Sequence, residues 1–149
     1  MKKKFNHNKG ILFWITGLSG SGKTTIAKKI YPLIKKKYGP TILLDGDQCR
    51  KILKLGGFTY RDRLSNSIKY NQITKLITNQ KINIVFSLVC LMNKPRIWNK
   101  KNIDNYLEIY ISCDLKKIIK KNKKKTYKKN RNIVGVDINP EFPKNPDII

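Results

Sequence analysis

Eight residues near the N-terminus, Gly17-Leu18-Ser19-Gly20-Ser21-Gly22-Lys23-Thr24, fit G-x-x-x-x-G-K-[ST] at every fixed position. Gly17, Gly20 and Gly22 have no Cβ and tolerate positive φ, so successive backbone N–H groups can turn inward around an anion. A helix starting near Lys23 would add its positive end to that nest. Lys23 supplies a full charge for outer phosphates, Thr24 a hydroxyl suited to Mg²⁺, and Thr25 continues the same turn. The chemistry implied is capture of a nucleoside triphosphate, ATP, with Mg²⁺.

Two further stretches could act on the captured phosphate. In Leu-Leu-Asp45-Gly46-Asp47-Gln-Cys-Arg50, one carboxylate can reach the metal shell or take a proton from an attacking hydroxyl, while the other orients that hydroxyl. Arg50, one turn on, can fork an anionic group of an acceptor. In Gly57-Phe58-Thr59-Tyr60-Arg61-Asp62-Arg63, Phe58 follows a flexible turn and suits stacking on a base. Arg61 and Arg63 stand out because the chain has five arginines among 33 basic residues. A sequence so inclined to lysine keeps arginine where lysine cannot supply the geometry.

These residues need a scaffold, and the sequence supplies alternating strands and helices. The apolar run 11–16 has the length of a strand buried on both faces. A helix is expected over 23–36, with Ile26, Ile30, Leu33 and Ile34 on its apolar side, then a turn at Tyr38-Gly39-Pro40. A second strand, 41–44, ends at Asp45, and a short helix near 48–55 stops at Gly56-Gly57. Helix 61–79, capped by Thr59, should bury Leu64, Ile68, Ile73, Leu76 and Ile77. Strands follow at 82–89 and 106–112, and Asp114 caps a helix running into a lysine-rich segment. Such alternation predicts an α/β fold of three layers around a central, mainly parallel sheet. Ligands of such sheets bind at the carboxyl ends of the strands, which would align the phosphate loop, Asp45, Asp47 and Ser87 along one edge.

The 149 residues suit one domain, 11–149, behind a basic tail, 1–10. No apolar run reaches the roughly 18 residues that span a bilayer, and the basic N-terminus does not read as a signal peptide. Cys49, Cys90 and Cys113 are scattered without a C-x-x-C pair, against a disulfide framework or zinc site and in favour of a reducing cytoplasm. The net charge of +24 reads as solvated lysines rather than a nucleic-acid surface, which would interleave arginine forks and aromatics.

The ordered set FWITGLSGSGKTTIA, LDGDQCR, GFTYRDRLSN and VGVDINPEFPKNPDI resembles the adenylylsulfate kinase family from about residue 11 to 149. The resemblance implies a P-loop kinase fold and transfer of the γ-phosphoryl group of ATP to the ribose 3′-hydroxyl of adenylylsulfate. It implies catalytic roles for Lys23, Asp45 as the acid nearest the chemistry, and Asp47 as its partner. Asp47, Arg50, Phe58, Arg63 and Asn66 would bind the acceptor nucleotide. Ser87 falls where the family has a serine often labelled a phosphoserine intermediate, although in-line transfer needs no covalent step. The segment of about 116–135 would be a lid, in which Lys124 and Tyr127 match the family pattern and Lys121 replaces an arginine. Family members often dimerise, and relatives carry a further C-terminal helix, so the chain reads as minimal or truncated.

Departures from the family pattern fall on the acceptor side. Ile68 replaces an arginine, and Leu88-Val89-Cys90-Leu91-Met92 follows Ser87 where proline and arginines are usual. One branch of the family phosphorylates cytidine diphosphoramidate, which stays open as an alternative acceptor. A nucleotide- or nucleic-acid-binding protein without kinase activity is the reading from another class.

Overall fold

The computed structural model describes residues 4–121, 127 and 131–149. Among these residues, four parallel strands form one sheet in the order β2-β3-β1-β4. β1 is Leu12–Gly17, β2 Thr41–Asp45, β3 Asn83–Leu88 and β4 Tyr106–Ile111. The two central strands, β1 and β3, are buried at every position, as expected where both faces of a sheet are covered. Alternation along β1 divides the core. Leu12 and Trp14 join Phe86, Tyr70 and Tyr106 on one face, while Phe13 and Ile15 join Ala27, Ile34 and Val85 on the other.

The α1 helix, Lys23–Tyr38, covers the second face. It continues two residues beyond the sequence expectation and ends at Gly39, whose φ of 87° suits a helix stop. Ile34 is buried as expected, but Leu33 is exposed. The α2 helix, Gly46–Ile52, begins earlier than expected because Asp45 caps it, accepting from the Asp47 and Gln48 N–H groups. The α3 helix, Tyr60–Asn79, starts at a full capping box between Thr59 and Asp62.

The face of α3 that meets the sheet is not the expected one. Asn66, Ser67, Tyr70, Asn71, Thr74 and Thr78 are buried, whereas Ile73 and Leu76 are exposed. Small polar side chains permit close packing here, and most of their donors are met within the helix or by its neighbour, although Asn71 Oδ1 is buried with no partner among the described residues. Thr74 Oγ1 donates to the Asn71 carbonyl, Thr78 Oγ1 to that of Thr74, and Asn71 Nδ2 to that of Pro95. Pro95 belongs to α4, Asn93–Asn102, an element the sequence reading did not foresee. The α5 helix, Leu115–Lys120, opens at Asp114 as expected, with the carboxylate accepting from the Lys116 and Lys117 N–H groups.

Both described ends are tied to this frame. Asn6 exchanges hydrogen bonds with Asn105, and Phe5 packs edge-on to Tyr38. At the other end, the Tyr110 and Ile148 main chains bond along the open edge of β4. Among the described residues no helix is long and apolar enough to cross a membrane.

Candidate active site

The carboxyl ends of β1, β2 and β3 converge as the topology requires. Gly20 and Gly22 hold φ of 79° and 93° in the loop between β1 and α1, where a side chain would be strained. Gly17 is needed for space instead, since a Cβ there would lie 2.7 Å from the Ile111 carbonyl oxygen. Lys23 is buried, and its Nζ donates to the Leu18 carbonyl at 2.7 Å, which bends the ammonium back over the loop. The buried Ser21 hydroxyl has no hydrogen-bond partner among the described residues and lines neither cavity of this edge.

Asp45 is the last residue of β2, in register with Ser87 on β3. Its Oδ2 accepts from Thr24 Oγ1 at 2.8 Å and from Ser87 Oγ at 3.1 Å, while Oδ1 caps α2. Burial pushes this carboxyl up, yet the hydrogen bonds from Thr24, Gln48, Ser87 and Asp47 outweigh that and hold it below the ordinary aspartate range. Asp45 is therefore an anion committed to its neighbours. Asp47, two residues on, is exposed. Gly46 between them lets α2 approach β3, because a Cβ there would lie 2.8 Å from Leu88 Cβ.

Two cavities open on this edge. One, of about 390 Å³, runs along the phosphate loop past Lys23, Thr24, Thr25, Asp45 and Ser87, with Ile118, Lys121 and Tyr127 on its far side. Tyr127 donates its hydroxyl to the Ser19 carbonyl at 2.7 Å. The other, of about 540 Å³, is walled by Arg50, Phe58, Arg63, Asn66, Tyr70 and the segment from Arg131 to Val134. Ser19, Asp47, Leu88 and Val89 line both. The cavities thus meet at Asp47.

In the larger cavity the Phe58 ring lies between two guanidinium groups, 4.5 Å from that of Arg50 and 5.5 Å from that of Arg63. Backbone carbonyls hold the arginines: Arg50 Nη1 donates to Gly57 at 2.5 Å, and Arg63 donates to Phe58 and Asn132 at 2.9 and 3.0 Å. Asn66 donates to Gly56 at 3.2 Å. Burial and the charge of Arg50 lower the pKa of Arg63, with Asp47 acting in the opposite sense, so the three charges share one field.

The structure brings together every expected site residue among those described; Lys124 lies outside them. Arg61 lines neither cavity, and Ile68 is half-buried on α3 away from both. The sequence reading placed 131–134 within the lid of about 116–135 but named none of Arg131, Asn132, Ile133 and Val134 as site residues. Arg131 carried the same signal as Arg63, an arginine kept in a lysine-rich chain.

A glycine-rich turn between the first strand and first helix, a parallel sheet ordered 2-3-1-4 and a lysine bent over the loop define a P-loop phosphotransferase. The family model of adenylylsulphate kinase matches residues 9–149, and the chain belongs to that family of nucleotide-binding kinases. The cytidine diphosphoramidate kinase of Campylobacter jejuni is 37% identical over 92% of this chain and 82% of its own length. The adenylyl-sulfate kinase of Clostridium kluyveri is 35% identical over 100% of this chain and 78% of its own. The APS kinase of Mycobacterium tuberculosis, solved with AMPPNP and APS, matches with a TM-score of 0.84 at 26% identity, covering 94% of this chain and 87% of that one.

Proposed function

We propose that this kinase transfers the γ-phosphoryl group of ATP to a ribose hydroxyl of a nucleotide held in the arginine-lined cavity. The meeting of the two cavities at an exposed carboxylate carries this reading. With triphosphate in the loop and acceptor beside Phe58, the hydroxyl oxygen attacks the γ-phosphorus in line. The bond from that phosphorus to the β–γ bridging oxygen breaks, and ADP leaves. Lys23 and the loop N–H groups offset the negative charge that shifts toward the leaving oxygen.

The two aspartates divide the remaining work. Asp45 already accepts from two hydroxyls and two N–H groups and is held below the usual range, which makes it a poor base. Asp47 stands where the cavities join and receives the acceptor's proton. This assignment departs from the expectation that Asp45 is the acid nearest the chemistry. The Thr24–Asp45 pair fits Mg²⁺, since a hydroxyl that donates to a carboxylate keeps its lone pairs for a cation. When bound, the ion would neutralise charge between the β- and γ-phosphates.

Cytidine diphosphoramidate is the favoured acceptor. Its kinase is the 37% relative, and the departures Leu88 and Val89 sit on the wall shared by both cavities. Adenylylsulfate is the second reading, supported by the family match and by the 35% relative. Coupled ADP release with each acceptor over a concentration series compares their kcat/KM directly. A higher value with adenylylsulfate overturns the choice of acceptor, and no release with either overturns the kinase reading.

A further inference from the structure

The first turn of α3 grips the segment 131–149 at two points. Tyr60 and Arg63, three residues apart, share a helix face. Arg63 Nη2 donates to the Asn132 carbonyl at 3.0 Å, and Tyr60 Oη donates to Glu141 Oε1 at 3.1 Å. Between these grips lie Ile133 and Val134, both buried and both on the wall of the larger cavity. A compact turn follows, in which the Ile133 N–H donates to Asp137 Oδ2 at 2.9 Å and the Gly135 N–H to the Ile138 carbonyl at 2.8 Å.

Glu141 uses every polar group it has. Its second carboxylate oxygen accepts from the Asn93 N–H, its own N–H donates to the Leu91 carbonyl at 2.8 Å, and its carbonyl accepts from Arg96 Nη1 at 2.7 Å. Arg96 is itself buried and paired with Glu108 at 3.1 Å. One residue therefore joins α3, the β3–α4 loop and α4 to the segment that closes the acceptor cavity. Leu88 and Val89, which line both cavities, lead into that same loop.

We propose that Tyr60 and Glu141 form a positioning latch that holds the 131–134 wall against the acceptor. The proposal rests on the reading of the larger cavity as the acceptor site. Neither latch residue lines either of the two cavities, so the latch acts through Asn132, Ile133 and Val134 and not by touching substrate. Tyr60 is 43% exposed, so Tyr60→Phe removes one hydroxyl without opening a hole in the core.

The expected result is an acceptor KM raised about three- to tenfold, the worth of one hydrogen bond, with the KM for ATP unchanged. Amide hydrogen exchange of the intact protein should show faster exchange across 132–141 and unaltered exchange in α1. Glu141→Ala should exceed the effect of Tyr60→Phe, and Glu141→Gln, which retains an acceptor oxygen, should recover part of it. An unchanged acceptor KM with unchanged exchange at 132–141 overturns the latch, as does an equal rise in both KM values. If wild-type protein turns over neither acceptor, the kinase reading fails, and the exchange comparison still decides whether the latch exists.

Discussion

The two cavities are built in different ways. The cavity read as the donor side is floored by one contiguous loop and the ends of adjacent parallel strands, with Asp45 and Ser87 side by side in register, and Ile118, Lys121 and Tyr127 close its far side. Its polar groups are fixed by backbone geometry and short hydrogen bonds. The cavity read as the acceptor side draws on Ser19 and four further stretches: 46–50, 58–70, 88–89 and 131–134. Its aromatic, Phe58, is half-exposed, and its arginines hang from loop carbonyls. A site built from a nest and a strand edge changes little without loss of function, whereas one built from loops can change its ligand while the fold stays the same. Leu88 and Val89, which the sequence reading takes as departures from the family pattern, line both cavities.

The largest effects should come from the rigid side. Lys23→Ala removes the charge over the loop and should cut kcat/KM for ATP by about 10²–10³-fold, with ATP affinity falling too, as steady-state kinetics and equilibrium nucleotide binding would show. The paired variants Asp47→Asn and Asp45→Asn separate the roles given to the two acids. Asp47→Asn should lower kcat by about 10²–10⁴-fold at unchanged ATP affinity. Asp45→Asn can still cap α2 and should chiefly raise the Mg²⁺ concentration needed for half-maximal turnover. If Asp47→Asn keeps wild-type turnover while Asp45→Asn loses it at saturating Mg²⁺, the base is Asp45.

Substitution on the loop-built side should give a smaller and more selective change. Arg63→Lys keeps the charge but loses the planar fork that reaches both Phe58 and Asn132. The expected outcome is a roughly tenfold rise in acceptor KM with kinetics toward ATP unaltered. A matching rise in the KM for ATP would mean that the two sides are not separable.

The same contrast explains what was legible in the sequence. The phosphate loop and the caps at Thr59 and Asp114 are local patterns, and each appears where its residues stand. The buried face of α3 was misread because hydrophobicity alone ranks Ile73 and Leu76 above Asn71 and Thr74. The helix instead buries small polar side chains whose donors, Asn71 Nδ2 and Thr74 Oγ1, find carbonyls at close range. The α4 helix escaped notice because it is polar and carries Pro95, which a first helical turn accommodates since the N–H groups there lack intrahelical partners. The 131–134 wall was illegible for another reason. Its role depends on contacts such as Arg63 with Asn132, 69 residues away in the chain, and no local pattern encodes such a partner.

Ser87 offers the finest test of the donor side. Its hydroxyl is buried and donates to Asp45, so the structure gives it a reason to be polar without covalent chemistry. A hydrogen bond of this kind contributes about 0.5–1.5 kcal/mol, and Ser87→Ala should cost turnover less than about tenfold, whereas an obligatory phosphoserine would make the loss complete. The pH dependence sharpens the argument. The folded-state pKa of Asp45 is lowered, so its contribution to stability is present above the ordinary aspartate value of about 4 and is lost as pH falls through the lowered folded value. Removing the Ser87 hydroxyl raises that folded value, so the contribution is smaller and its loss is complete at a higher pH. Thermal melts of wild type and Ser87→Ala should therefore differ most near neutrality and converge in acid, where Asp45 is protonated in both. Curves that stay parallel throughout would show that the hydroxyl serves packing and not the charge on Asp45.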